Sequence, residues 1–202
     1  MSADINFTDT IQEDLLKKEI ESGNQKAFRQ VYHYFYKRLL QFAVILTKNK
    51  EAAEEVVEDV FIKFWKNRKH VADIRNLKVY LYTAIKNTCL NYLSSKANES
   101  ITKPFDAINI ELSDSICPEQ LLIYQETFIR IKKAIETLPP KCKIIFKLIR
   151  EDGLKYKEVA DVLNLSYHTV DAQMTIAIRR IALIVGAEFE KLPNSHSIKN
   201  KS

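Results

Sequence analysis

The chain has 202 residues, a net charge of +5 and 46% hydrophobic residues, which is enough for one larger domain or two small ones. Its three glycines disfavour an all-β fold, because hairpin turns depend on glycine. No apolar run is long enough to cross a bilayer, and the polar, acidic N-terminus lacks the basic and apolar regions of a secretory signal. We therefore expect a helical, cytoplasmic protein without membrane insertion.

The cysteines, histidines and glycines argue against a metal site and against catalysis. Cys89, Cys117 and Cys142 are odd in number and far apart, which fits neither a disulfide framework nor a zinc-binding spacing. The four histidines form no H-x-x-x-H pair, and three scattered glycines cannot build a phosphate-binding loop. We predict a binding protein rather than an enzyme, without cofactor or metal, and we place Cys89 and Cys142 in the core.

Apolar residues recur at helical spacing through the first half of the chain. The series from Ala27 to Leu46 predicts an amphipathic helix, with a break at Ser22–Gln25 separating it from an earlier helical stretch. Further helices are predicted over 51–66 and 77–95. The segment between them, residues 67–76, is polar and basic and is predicted to be a loop. Residues 96–118 lose the helical period and contain two prolines, which is typical of a linker.

The helical period returns after the linker. A helix is predicted from Glu119 to Leu138, where Pro139-Pro140 ends it and starts the next one over 141–151. Gly153 suits a left-handed cap after that helix. The tail after Glu190 is polar, and we expect it to be disordered.

Residues 156–181 have the pattern of a helix-turn-helix. Ala160 is small enough for the point where two helices cross, and Asn164 tolerates the left-handed conformation that the turn requires. Ser166 is suited to cap the second helix. Four apolar positions one turn away face the core in this pattern: Val159, Leu163, Val170 and Met174. The second helix would then lie in a DNA major groove.

The outward face of that second helix would contact DNA. Arg179 and Arg180 could meet phosphates. Two features weaken this interpretation: Asp171 lies on the outward face with few cations before Arg179, and Lys155 stands where Ser or Thr would be preferred as a cap. The predicted DNA-binding residues of this motif are Ser166, Tyr167, His168, Thr169, Asp171, Ala172, Thr175 and Arg179.

The order and spacing of three segments resemble bacterial RNA polymerase sigma factors of the extracytoplasmic-function (ECF) subgroup. The segments are EEVVEDVFIKFWK (residues 54–66), YLYTAIKNTCLNYL (80–93) and LPPKCKIIFKLIREDGLKYKEVADVLNLSYHTV (138–170). The resemblance covers roughly residues 27–95 and 119–187. It implies an all-α fold with two small helical domains joined by a flexible linker, the C-terminal one containing the helix-turn-helix.

The resemblance assigns the 54–66 helix to docking on the clamp helices of core RNA polymerase. An acidic rim beside an exposed apolar residue suits a partner helix that presents arginines, although such a rim is also common on any solvated helix face. The residues are Glu54, Glu55, Glu58, Asp59 and Ile62. Family members often have Gln where Glu58 stands here.

The loop 67–76 and the next helix resemble the part of the family that opens the −10 promoter element. Melted DNA requires cations for its phosphates and amide or aromatic groups for its bases. The residues assigned to it are Arg68, Lys69, His70, Arg75, Asn76, Lys78, Lys86, Asn87 and Asn91. We expect the flipped base to be captured by the loop between His70 and Asn76. Core packing of Tyr80 and Tyr92 and a solvated helix face at Lys86 and Asn91 remain alternatives.

The resemblance divides the chain into four parts. These are a region-2-like domain (1–95), the linker (96–118), a region-4-like domain that reads the −35 element (119–187) and a tail (188–202). It also implies core RNA polymerase, promoter DNA and an anti-sigma factor as partners. The recognition helix departs from the family, which often has arginines where Asp171, Ala172 and Ile176 stand, so we expect an unusual or weakly read −35 sequence.

Two other functions remain open from the sequence. A stand-alone helix-turn-helix regulator would bind operator DNA without polymerase, as a dimer. A helical adaptor that binds only proteins would show no salt-dependent affinity for promoter DNA, whereas phosphate contacts make affinity fall steeply with salt.

Overall fold

The computed structural model of the protein describes residues 10–96 and 130–189, and within those ranges every regular element is helical. This confirms the predicted all-α fold. The helices are α1 (Thr10–Glu21), α2 (Gln25–Thr47), α3 (Lys50–Lys66), α4 (Leu77–Lys96), α5 (described over residues 130–136), α6 (Pro140–Arg150), α7 (Tyr156–Leu163) and α8 (Tyr167–Phe189). A single 3-10 turn, Arg68–His70, lies between α3 and α4.

Asparagine side chains fix the starts of two long helices. Asn24 accepts hydrogen bonds from the backbone amides of Lys26 and Ala27 at the start of α2. Asn49 accepts one from the Ala52 amide at 2.7 Å at the start of α3. First-turn amides have no partner within their own helix, so these caps stabilise the helix starts. The observed boundaries of α2, α3 and α4 lie within one or two residues of the predicted ones.

The first half is a helical bundle in which α2 packs against both α3 and α4. The fully buried ring of Phe42 lies 5.2 Å from the ring of Tyr82 on α4. Near the start of α2, Phe28 contacts Trp65 at the end of α3, at a ring-centroid distance of 4.9 Å. The many aromatic residues of the sequence thus fill the space between three helices, where each large ring removes apolar area from water.

The second half packs directly on the first. Helix α7 lies against α4, and buried residues of α6 and α7 belong to the same hydrophobic core as those of α2–α4. A second, smaller cluster contains Leu138, Cys142 and Ala177 and joins α6 to α8. The core is therefore continuous across the two halves, although a predicted linker of 23 residues separates them in the sequence.

A buried ion pair lies where the two halves meet. The Lys147 ammonium is 3.0 and 3.1 Å from the two carboxylate oxygens of Asp152, and both residues are less than 7% exposed. Burial raises the pKa of the Asp152 carboxyl, while the Lys147 ammonium opposes that rise. Burial, followed by the charge of Asp152, raises the pKa of the nearby Tyr82 hydroxyl well above its usual value. Each buried charge here depends on its partner.

Both described cysteines are in the core, as predicted. Cys89 is 0% exposed and Cys142 is 1% exposed, and burial raises the pKa of the Cys89 thiol to about 12. Gly153 has φ +68°, which confirms the predicted left-handed cap. Of the predicted linker (96–118), Lys96 is the last residue of α4, and residues 188–189 of the predicted tail belong to α8. The rest of the linker with Cys117, residues 119–129 of the next predicted helix and the tail from residue 190 lie outside the described residues.

Among the helices of residues 10–96 and 130–189, none combines the length and apolar character that crossing a bilayer requires.

Replacing Asp152 with alanine should lower the free energy of unfolding by about 3 kcal/mol, because the buried Lys147 ammonium loses its main partner. Urea denaturation followed by circular dichroism measures this change. Glu151→Ala is the matched control: Glu151 also pairs with Lys147, at 3.5 Å, but is half-exposed, so its loss should cost less than about 1 kcal/mol. Equal losses for both variants would show that the buried pair contributes no more to stability than the exposed one.

Candidate nucleic-acid and protein interfaces

The turn between α7 and α8 has the geometry of a helix-turn-helix. Asn164 adopts φ 54° and ψ 47°, the left-handed conformation predicted for it. The Leu165 amide then donates to the Ala160 carbonyl at 2.9 Å, which closes the end of α7. Ser166 Oγ accepts from the Thr169 amide at 3.0 Å and so caps α8. Ala160 is 8% exposed, and its small side chain lets the two helices approach closely.

The first turns of α8 present the predicted side chains to solvent. Tyr167 is 53% exposed, and Ser166, His168, Asp171, Ala172, Thr175 and Arg179 are exposed as well, with Thr169 half-buried. Val170 and Met174 on the opposite side are buried. The exposed face therefore has the position of a recognition helix, and it carries the Asp171 carboxylate near its centre.

Glu158 explains how α7 begins without a Ser or Thr cap. Its Oε2 accepts a hydrogen bond from the Lys155 amide at 2.7 Å, so a side chain inside the helix satisfies the first free amide. The same carboxylate reaches α4, because Oε1 accepts from the Asn76 side-chain amide at 2.8 Å. Glu158 stands three residues after Lys155, the spacing of a capping box, and that spacing was the signal in the sequence that could have identified it.

The segment between α3 and α4 exposes most of its predicted cations. Lys69, His70 and Arg75 are exposed, and His70 lies 3.8 Å from the Asp73 carboxylate. The Arg68 guanidinium stacks over the Trp65 ring at 4.9 Å and donates to the Trp65 carbonyl. The loop therefore offers a cationic and aromatic surface of the kind that binds single-stranded DNA.

Three predicted DNA-binding residues at the start of α4 and along it contact the second half of the chain. Besides the Asn76 bond to Glu158, Lys78 Nζ donates to the Gly153 carbonyl at 3.2 Å, and burial lowers the pKa of Lys78. Lys86 is 4% exposed and burial lowers its pKa. With the Asn164 amide oriented to satisfy both its groups, the oxygen accepts from Lys86 Nζ at 3.2 Å. In this arrangement, Asn76, Lys78 and Lys86 are therefore hydrogen-bonded to the second half rather than open to DNA.

The remaining positions on α4 are open. Asn87 and Asn91 are exposed, Tyr80 is 36% exposed and Tyr92 is half-buried against the core. Of the two tyrosines, Tyr80 is the more accessible for contact with a base.

The acidic side of α3 is an exposed surface. Glu55, Glu58 and Asp59 point to solvent, and Ile62 is 50% exposed among them. Glu54 is 3.7 Å from Lys50 in an exposed pair, which contributes little to stability. Beside this surface, Phe28, Tyr32 and Trp65 line an open groove of about 460 Å³. Apolar and acidic groups therefore lie side by side on α2 and α3.

Two residues of α1 that sequence reasoning missed reach the loop. Lys17 Nζ donates to the Ile74 carbonyl at 2.7 Å, and Glu13 Oε1 accepts from the Leu77 amide at 2.9 Å. The one signal in the sequence is the position of Lys17 between Leu16 and Ile20, on the apolar side of α1.

Two family models match the chain, and together they cover more than half of it. Residues 31–99 match the model "Sigma-70 region 2" and residues 128–181 match "Sigma-70, region 4". The ECF RNA polymerase sigma-E factor of Escherichia coli K12 is 23% identical over 175 residues, which are 83% of this chain and 91% of that protein. The chain belongs to the ECF sigma factors. ECF sigma factor SigW of Bacillus subtilis is 22% identical over 164 residues, covering 78% and 88%.

Two solved structures share the fold. One is the sigma factor RpoE in complex with the anti-sigma factor NepR from Bartonella quintana, with TM-score 0.55 and 24% identity over 81% of this chain and 99% of that one. The other is CnrH in complex with the cytosolic domain of CnrY, with TM-score 0.53 and 19% identity over 87% and 98%. As an ECF sigma factor, the protein directs RNA polymerase to promoters, and sigma factors are initiation factors rather than enzymes.

Proposed function

We propose that this sigma factor binds core RNA polymerase through α3, opens the −10 promoter element with the 67–76 loop and α4, and reads the −35 element with α8. One observation supports this most: a helix-turn-helix with an exposed recognition face and a separate cationic, aromatic loop lie on one chain. A stand-alone regulator would use the first of these features but has no use for the second. The bond-making chemistry belongs to the polymerase.

The −10 contacts would centre on the loop. Exposed Lys69, His70 and Arg75 are placed to meet phosphates or base edges of melted DNA. Unstacking a base costs a few kcal/mol, and only a pocket that fits the base offsets this cost. We place that pocket between His70 and Asn76, because this segment is held from several sides and can keep one shape.

The −35 contacts would be few and partly unfavourable. Asp171 on the exposed face of α8 repels phosphates and accepts hydrogen bonds, for example from the amino group of cytosine. Arg179, two turns further on, supplies a cation. The −35 element would therefore contribute less affinity than the −10 element.

The polymerase contact would use the acidic side of α3 and its exposed Ile62. A basic helix of core polymerase could place cations against Glu55 and Glu58 while its apolar residues cover Ile62. The arrangement favours fast, salt-sensitive association.

Promoter binding requires the two halves to separate. Two promoter elements about two duplex turns apart are about 70 Å apart, whereas α4 and α7 are in direct contact here. The 23 residues of 96–118, fully extended, span about 76 Å, which is long enough. Separation would also free Asn76, Lys78 and Lys86 for DNA.

An anti-sigma factor and a cytoplasmic location complete the proposal. The two similar structures are of sigma factors bound to NepR and to the cytosolic domain of CnrY. We propose that a comparable protein holds this chain inactive in the cytoplasm.

Run-off transcription with purified core polymerase on genomic DNA tests the function as a whole. We expect transcripts with defined start sites that require this chain, and their upstream sequences should share two short elements. Tight duplex binding by the chain alone, without any core-dependent transcript, would favour the stand-alone regulator. The absence of salt-dependent binding to forked promoter DNA would favour the adaptor.

Charge reversal on α3 should weaken polymerase binding. In Glu55→Lys/Glu58→Lys, a basic partner helix would meet cations, and we expect affinity for core to fall at least about tenfold, which corresponds to about 1.4 kcal/mol. Fluorescence anisotropy with labelled chain measures this affinity. The control Glu21→Lys/Glu136→Lys makes the same net charge change at exposed positions away from α3. Unchanged affinity in the first variant, or an equal loss in both, contradicts the α3 docking surface.

A distance measurement tests the separation of the halves. Dyes on Glu51→Cys and Lys157→Cys, both exposed, in a Cys117→Ser background should transfer energy efficiently in the free chain. Transfer should fall strongly in the open promoter complex. Efficient transfer that persists in that complex would mean that the halves stay together.

A further inference from the structure

We infer that Glu13 and Lys17 of α1 are positioning residues for −10 recognition, an inference that rests on the proposed function of the 67–76 loop. Helix α1 begins well before residue 31, the first residue of the region 2 match, and none of the residues assigned to DNA or to polymerase lies on it. Its two side chains bind the backbone at the junction between the loop and α4.

The two contacts bracket one short piece of backbone. Lys17 Nζ holds the Ile74 carbonyl at 2.7 Å, and Glu13 Oε1 holds the Leu77 amide at 2.9 Å. Only Arg75 and Asn76 lie between these two points, and both are predicted to contact DNA. Fixing the carbonyl on one side and the amide on the other therefore sets the direction in which the exposed Arg75 leaves the surface.

Both contacts involve charged groups, which makes them strong. The Leu77 amide is one of the free first-turn donors of α4, and a carboxylate at a helix N-terminus is favoured by the helix dipole. A charge-assisted bond to the Ile74 carbonyl is about twice as strong as a neutral one. Asn76 adds a third restraint, because its Oδ1 accepts from the Val79 amide at 3.0 Å.

The Lys17 side chain is itself fixed in place by its surroundings. It is 4% exposed, and its ammonium also lies 2.7 Å from the Asp14 carboxylate and 3.8 Å from Glu13. A buried ammonium must keep such partners, since an unpaired one is costly. On either side of it, Leu16 and Ile20 are buried in the main core. Lys17 is thus fixed to the helical bundle, and its hydrogen bond to the Ile74 carbonyl restrains the loop.

Loss of either contact should reduce the fraction of molecules whose loop is ready to bind. Apparent affinity falls in proportion to that fraction. We expect Glu13→Ala and Lys17→Met each to lower the affinity of holoenzyme for −10 DNA by about tenfold. Because both residues act on the same segment, the double variant should lose less than the product of the two single losses.

The probe is a forked DNA that carries the −10 sequence of a promoter mapped by run-off transcription. Its affinity for holoenzyme is measured by anisotropy, next to the affinity of each variant for core. Glu13→Gln keeps an acceptor for the Leu77 amide and Lys17→Arg keeps a donor for Ile74, so both should stay within about threefold of the unmodified protein. Lys18→Met is the matched control, because Lys18 is exposed on the same helix.

Backbone hydrogen exchange gives an independent measure. In Glu13→Ala, the Leu77 amide should exchange faster, while the amides within α2 and α3 keep their protection. If Lys17→Met does not fold, Glu13→Ala carries the test, since it removes one hydrogen bond at a half-buried position.

The outcomes separate the inference from the proposed function. If unmodified holoenzyme does not prefer the mapped −10 fork over a scrambled fork, the proposed function of the loop is wrong. If it does, but Glu13→Ala and Lys17→Met bind the fork within twofold of it, the inference alone is wrong. A parallel loss of core and fork affinity would also overturn the inference, because it would show a merely structural role for α1.

Discussion

Helix α4 is restrained from two sides, and the arrangement of the molecule depends on this. On one side, α1 binds its first amide and the loop before it. On the other side, Glu158 of α7 binds Asn76, the residue before α4, and the Gly153 carbonyl binds Lys78 of α4. Between them, α4 supplies Leu77, Leu81 and Ile85 to the core. Each of these bonds would have to break for the helix to slide, and the loop that precedes the helix is held by the same bonds.

The junction between the halves combines strength with reversibility. Its apolar part favours contact. Its polar part pairs donors on Asn76, Lys78 and Lys86, which phosphates could also accept from, with acceptors on Glu158, Gly153 and Asn164, which water could satisfy. If the halves separate as proposed, Lys78 and Asn76 would exchange a carbonyl and a carboxylate for phosphate oxygens, which accept hydrogen bonds from the same donors. The buried Lys147–Asp152 pair is different, since both of its members lie in the second half and can stay together when the halves part. A contact of this composition can hold the resting chain and still open when polymerase and promoter provide competing contacts.

The three proposed contact surfaces differ in charge. The acidic side of α3 suits a basic protein partner, and the cations of the 67–76 loop suit melted DNA. The recognition face of α8 is nearly neutral, with Asp171 near its centre. Specificity for the promoter would therefore depend more on the shape of the loop than on the charge of α8. Specificity would then also depend on Glu13 and Lys17, which fix that shape and lie on α1, outside the matched family regions.

The local features of the protein were determined by the sequence itself. The helical periods predicted α2–α4 and α6 to within one or two residues, whereas α8 continues to Phe189, eight residues beyond the predicted stretch 156–181. Asn164 and Gly153 marked the left-handed positions, and Ser166 marked the cap of α8. These predictions succeed because caps, turns and amphipathic faces depend on residues within one or two turns of each other. The outward face of α8 and the exposed acids of α3 follow from the same periods.

Only the tertiary structure decided which side chains remain available. Lys86 and Lys78 lie on a helix whose pattern allows exposure, yet the second half covers them. Lys17 and Glu13 act on residues 57 and 64 positions away, and Asn76 binds Glu158 across 82 positions. No local period carries such information, because these partners are brought together by burial of apolar surface shared among all the helices. The sequence names the groups that can bind, and the packing of the core decides which of them are already bound.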